Sequence, residues 1–215
     1  MNKYMFITDF ETTGLNPLRH APIQMAYQIV DTQMNTLIKR VIKIQPFQGA
    51  EVDAQALTFN GFKLNKTETS TDNLNYANGV YTHADESGML KTEREAVMML
   101  ISDVKQYIDT LDRNSNLTPC AYNAPFDIGF LEAMLNRQHK RYQTYFNRNA
   151  VDPLAVLRML KWFGAVPTQN LKLPTIYQAI TGKVLTNAHD AGADVEACRV
   201  VLKSVKQDFR SVKQG

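Results

Sequence analysis

"YMFITDFETTGL", residues 4–15, decides both the fold and the chemistry of this chain. A short apolar run ends in Asp9 and Glu11, and the chain then turns at Thr12-Thr13-Gly14. Residues 3–8 read as a short buried strand with the two acids at its C-terminal end. Side chains at i and i+2 of a strand share a face, so these carboxylates lie side by side. Without a counter-charge they repel, and one of them has to take up a proton. A shared proton for acid–base work or a divalent cation held by both resolves the conflict, and hard cations such as Mg²⁺ and Mn²⁺ favour such oxygen ligands. A pair of solvated acids at a strand end is the plain alternative.

Outward from this stretch, residues 23–31 alternate, with Ile23, Met25, Tyr27 and Ile29 on one face, and residues 37–45 form a second β-branched run after a polar turn. The pattern is a hairpin following the first strand. Residues 52–59 read as a short helix ending near Gly61. Residues 63–91 are polar and long for a connection inside a domain, with an Asn78-Gly79 hairpin signal among them. Thr92 and Glu95 form a capping box ahead of Val97, Leu100, Ile101, Val104, Ile108 and Leu111 at helical spacing. A strand at 117–122, a helix opened by Pro125 and a short strand near residue 150 follow. Helices opened by Asp152-Pro153 and by Pro174 close at Gly164 and Gly182, and a last helix begins near Asp194. The order predicts an α/β fold with a mixed five-stranded sheet flanked by helices, in a single domain over 1–215 with an extended loop or hairpin insertion at about 63–91.

The composition, 44% hydrophobic and 21% charged over 215 residues, is that of an ordinary globular chain. The formal charge of +3 permits a polyanionic partner without requiring one. Two cysteines, Cys120 and Cys198, exclude a disulfide framework and a cysteine-based zinc site. No apolar stretch reaches the roughly 20 residues of a membrane span, and the run after Lys3 is too short for a signal peptide. A cytoplasmic protein with no membrane partner is expected.

Two further stretches carry unusual residues. In "AYNAPFDIGFLEAML", residues 121–135, Asp127 falls in the first turn of a helix, where an acid also simply favours the helix dipole. In "NAHDAGADVEAC", residues 187–198, His189 precedes a small-residue loop and Asp194 opens the last helix, the position of an N-cap; Asp190 and Glu196 are acidic too. Along that helix Arg199, Lys203, Lys206, Arg210 and Lys213 form a basic stripe beside the apolar face. The stripe reads as a solvated face or as a track for a nucleic-acid backbone.

Taken together, DFETTG, NAPFD with a following FL, and HDAGAD resemble, in order, the three motifs of the DEDDh class of 3′–5′ exonucleases, the group of proofreading subunits, ribonuclease T and oligoribonuclease. The resemblance implies a ribonuclease H-like fold and a metal-dependent 3′–5′ exonuclease. Its substrate would be nucleic acid with a free 3′ end, single-stranded DNA or frayed ends first and RNA as the alternative, and its products nucleoside 5′-monophosphates. A non-catalytic nucleic-acid-binding module is the reading from another class. The resemblance further implies two divalent cations, Mg²⁺ or Mn²⁺, held by Asp9, Glu11, Asp127 and Asp194. Asp9 would touch both ions, and His189 would be the general base. Asn123 matches a position beside the scissile phosphate, and Thr12 one whose backbone holds the terminal 3′-OH. Leu15 and Phe126 would wedge or stack against terminal bases, unless they are plain core. Gly61-Phe62 resembles a substrate-lining stretch. A polymerase partner or a homodimer is compatible with the family.

Overall fold

A computed structural model of the chain describes residues 3–60 and 90–211. The strands are β1 (Tyr4–Thr12), β2 (Pro22–Asp31), β3 (Thr36–Lys43) and β4 (Thr118–Cys120). They form one sheet of order β3-β2-β1-β4. β1 is antiparallel to β2, with Asp9 opposite Ala26 and Glu11 opposite Gln24, and parallel to β4 over Met5–Thr118, Phe6–Pro119 and Ile7–Cys120.

The expected five-stranded sheet is corrected to four strands among the described residues. The stretch near residue 150 makes only a bridge, with the Val151 N–H donating to Pro119 (2.9 Å) and the Val151 carbonyl accepting from Ala121 (3.3 Å). Asp152 then caps a helix and Pro153 begins it, so no residues remain to extend the pairing.

Helices cover both faces. α2 (Glu93–Val104) and α3 (Ala124–Arg137) bury Phe6, Phe10, Met25, Tyr27 and Ile29. α6 (Ala191–Ser211) covers the opposite face through Ile7, Ala26, Val30, Cys120, Val195 and Cys198. Outside α6 lie α4 (Pro153–Trp162) and α5 (Leu173–Thr181), which meet it through Leu157, Leu173, Ile176, Ala197 and Val201. α1 (Ala54–Asn60) follows β3. Both faces of β1 and β2 are therefore buried, although the run of β2 alternates in sequence. The polar residues Gln24 and Gln28 lie under α6 and are satisfied there.

The capping box at Thr92 and Glu95 forms as expected. Its helix, however, ends at Val104 rather than running to Leu111. The chain turns so that Tyr107 packs edge-on against Tyr4 (5.1 Å), and Leu111 stands in solvent. Gly182 closes α5 in the left-handed conformation, as a C-cap glycine does. The Asn78-Gly79 turn, the Gly61-Phe62 pair and nearly all of the 63–91 insertion lie outside the described residues. Among the described residues, no helix is long and apolar enough to cross a membrane.

Candidate active site

β1 runs through Asp9 and Glu11 to Thr12 rather than stopping before them. Ile7 packs on the α6 side of the sheet, so Asp9 and Glu11, two and four residues on, share that face. Asp194, in the first turn of α6, faces them. One carboxylate oxygen from each of Asp9, Glu11 and Asp194 lies within 4.8 Å of the others.

Asp127 approaches from α3. β4 pairs β1 only as far as Ile7, so the Phe10 N–H on that edge has no strand to bond. It donates instead to Asp127 Oδ1 at 2.9 Å. Asp127 is buried, and its carboxyl is held well above the usual range by burial, an effect opposed by the Phe10 N–H and reinforced by Glu11.

The group is electrostatically strained as it stands. Burial raises Asp9 well above its ordinary value, and the charges of Asp127, Asp194 and Asp190 raise it further. Glu11 is pushed up to about 9 by burial, then by Asp9, Asp194 and Asp190. Asp194 is raised by burial, against the N–H of His189, which donates to its Oδ2 at 3.1 Å. Asp194 Oδ1 is buried with no hydrogen-bond partner. Converging carboxylates, one with an orphaned oxygen, form a donor set that fits a hard divalent cation.

The His189 loop is anchored rather than free. Asp190, not Asp194, caps α6, its Oδ1 accepting from the Ala193 N–H at 3.1 Å. Gln24 locks the same corner to the sheet: its Oε1 accepts from the Ala191 N–H (3.0 Å) and its Nε2 donates to Asp190 Oδ2 (3.3 Å). Asn187 and His189 both have positive φ, 61° and 73°, an uncommon backbone for such residues that the surrounding bonds hold in place. Gln24 escaped the sequence reading; its signal was a glutamine, like Gln28, on the polar side of an alternating strand.

The remaining predicted positions surround the acids. Asn123, exposed, takes the left-handed conformation at the N-cap of α3, and its N–H donates to Asp152 Oδ1 at 3.1 Å. Thr12 is buried, its hydroxyl donating to the Gly14 carbonyl at 2.7 Å. Phe126 is half-buried against Phe130 (5.0 Å between ring centres), so its inner face is core. Leu15 is not core: it is 77% exposed on the loop after β1, with Leu18 equally exposed. That loop is pinned from beneath. Arg137 donates to the Pro17 carbonyl (2.9 Å) and to buried Glu93, and its guanidinium lies over the Phe47 ring. Gly14 is required because a Cβ there would come within 2.2 Å of the His20 ring.

Two residues of the basic stripe on α6 are engaged with the rest of the fold. Arg199 binds Glu196 and the Met34 carbonyl, and Lys206 binds the Thr32 carbonyl, so both tie the helix to the β2–β3 turn. Lys203 is exposed, and nothing is described of the side chain of Arg210 or of Lys213.

Comparison with known proteins gives a consistent result. No family model matches the chain. It is 29% identical over 198 residues to a ribonuclease T of Baumannia cicadellinicola, covering 90% of this chain and 78% of the relative. It is 28% identical over 138 residues to a ribonuclease T of Shewanella denitrificans, covering 62% and 52%. Among solved structures, E. coli exonuclease I in complex with a dT13 oligonucleotide aligns over 99% of this chain with a TM-score of 0.72 at 18% identity. The chain spans 43% of that enzyme's length.

Proposed function

We propose that the chain is a DEDDh-type 3′–5′ exonuclease, a reading supported by its likeness to ribonuclease T and to the exonuclease I fold, and that it releases nucleoside 5′-monophosphates from the 3′ end of single-stranded nucleic acid. The observation that carries this is the convergence of Asp9, Glu11 and Asp194 within 4.8 Å, with an orphaned oxygen on Asp194. Asp9, Glu11, Asp127 and Asp194 would hold two Mg²⁺ or Mn²⁺ ions. Such ions supply Lewis-acid stabilisation of the phosphate and acidify water.

The rest falls to the chain's own side chains. His189, fixed by its backbone bond to Asp194, takes the proton of the attacking water. Asp127 keeps the end of β1 in place through Phe10, and its charge bears on Asp9. Exposed Leu15 and the outer face of Phe126 receive the terminal bases, Asn123 meets the scissile phosphate, and the Thr12 backbone meets the 3′-OH. These positions form one exonuclease unit.

DNA is the first reading of the substrate, supported by the fold shared with part of an enzyme solved on dT13, 43% of whose length this chain spans. RNA is the second, favoured by the ribonuclease T names of the sequence relatives. End-labelled DNA and RNA strands incubated with Mg²⁺ or Mn²⁺, with Asp9→Ala as control, test both. Shortening from the 3′ end by wild type alone supports the proposal; an Asp9→Ala protein that digests as fast as wild type overturns it.

A further inference from the structure

α4 presents its apolar residues the wrong way for an ordinary surface helix. Leu157 is buried against α5 and α6, but Met159, Trp162 and Phe163 lie on the opposite side, 51%, 87% and 73% exposed. An amphipathic helix places polar residues there. One turn before Trp162, exposed Arg158 shares its side of the helix.

The charge of the segment that carries this face is one-sided. Between Asp152 and Asp190 the sequence contains Arg158, Lys161, Lys172 and Lys183 and no carboxylate. The whole chain carries only +3, so this segment alone holds more positive charge than the net. Lys161 is partly committed to the carbonyls of Thr168 and Gln169. The face also begins at the active site. Asp152 Oδ1 caps α4 through the Leu154 N–H (2.9 Å) and accepts from the Asn123 N–H, and Asn123 caps the helix that carries Asp127. Ten residues at ~1.5 Å each put Trp162 about 15 Å along the helix from that junction, a few nucleotides of a single strand.

We propose that the Trp162–Phe163 end of α4 is a stacking platform for bases upstream of the 3′ end, with Arg158 engaging the backbone between platform and site. The proposal rests on the exonuclease reading and adds to it a second point of grip. Flat aromatic faces beside Arg158, in a segment without a carboxylate, match a single strand. A two-fold contact with a second copy would instead set this basic face against itself.

Trp162 is the only tryptophan of the chain, so its emission reports directly on the platform. Metal-free protein is titrated with dT13 and with a dinucleotide. Quenching by dT13 and not by the dinucleotide supports the proposal. In the same assay the Trp162→Ala/Phe163→Ala protein should bind labelled dT13 about tenfold or more weakly while its kcat on a trinucleotide stays that of wild type, and Arg158→Ala should lower the salt dependence of dT13 binding. Unchanged Trp162 emission on dT13, or wild-type affinity in the double variant, overturns it. So does a wild-type dimer in sedimentation that the double variant dissociates, which would assign the face to a second copy. A wild type that binds and is quenched by dT13 but never shortens it upholds the platform and refutes the proposed enzymatic function instead.

Discussion

Replacing Glu11 by glutamine should stabilise the metal-free protein and remove its activity. Glu11 is 6% exposed, and burial with the charges of Asp9, Asp194 and Asp190 lifts its carboxyl from 4.5 to about 9. The folded protein then holds a proton that the unfolded chain has already released. Between those two values each pH unit costs the folded state about 1.4 kcal/mol, so stability falls as pH rises and the loss is complete above the folded value. At pH 7, two and a half units above the ordinary value of 4.5, the penalty is about 3 kcal/mol. Glutamine keeps the shape and cannot ionise. At about 2–4 °C per kcal/mol for a chain of this size, Glu11→Gln should melt about 6–12 °C above wild type in EDTA at pH 7. Asp9 titrates in the same direction, so part of the pH slope persists in the variant. Excess Mg²⁺ should raise the wild-type midpoint and leave that of Glu11→Gln nearly unmoved. Circular-dichroism melts across neutral and alkaline pH, with and without EDTA, measure all of this. A wild-type midpoint in EDTA that stays flat as pH rises, or a variant no more stable than wild type at pH 7, would refute the reasoning.

His189→Ala should lower single-turnover rates by about 10²–10⁴-fold with strand affinity nearly unchanged; loss of affinity with the rate intact would remove histidine from the proton transfer. Arg137→Ala leaves the buried Glu93 carboxylate with only the Gln138 Nε2–H donor (3.2 Å) and frees the Pro17 carbonyl, so urea unfolding should show a loss of about 2–4 kcal/mol. A change below about 1 kcal/mol would mean that the ion pair is no more than a surface contact. Gly14→Ala drives its Cβ into the His20 ring and should raise KM about tenfold by displacing Leu15; adding His20→Ala makes room and should restore KM, and failure of that rescue would locate the effect elsewhere.

The acids at 9 and 11 were legible because strand periodicity fixes their shared face whatever surrounds them. The third and fourth acids were legible only through motif order, since no local rule places Asp127 or Asp194 beside β1. Helix ends marked by Pro153, Pro174 and Gly182 were read well, because backbone chemistry dictates them. The fifth strand was misjudged because two residues before a capping aspartate look extended in sequence yet can make only a bridge. The α6 start was placed late: Asp194 looked like the cap, but Gln24 reaches across from β2 and makes Asp190 the cap. Two residues of the basic stripe looked free because sequence does not show that the β2–β3 turn offers the carbonyls of Thr32 and Met34 to Lys206 and Arg199.

The three residues of β4 set the aperture of the site. Because pairing with β1 stops at Ile7, the next stretch of β1 has an unpaired edge that Asp127 reaches. One more pair of residues in β4 would seal that edge and displace Asp127, although no carboxylate had been altered. Sequence length between Cys120 and Asn123 is therefore under the same constraint as the acids themselves. An insertion there should be as damaging as losing an acid.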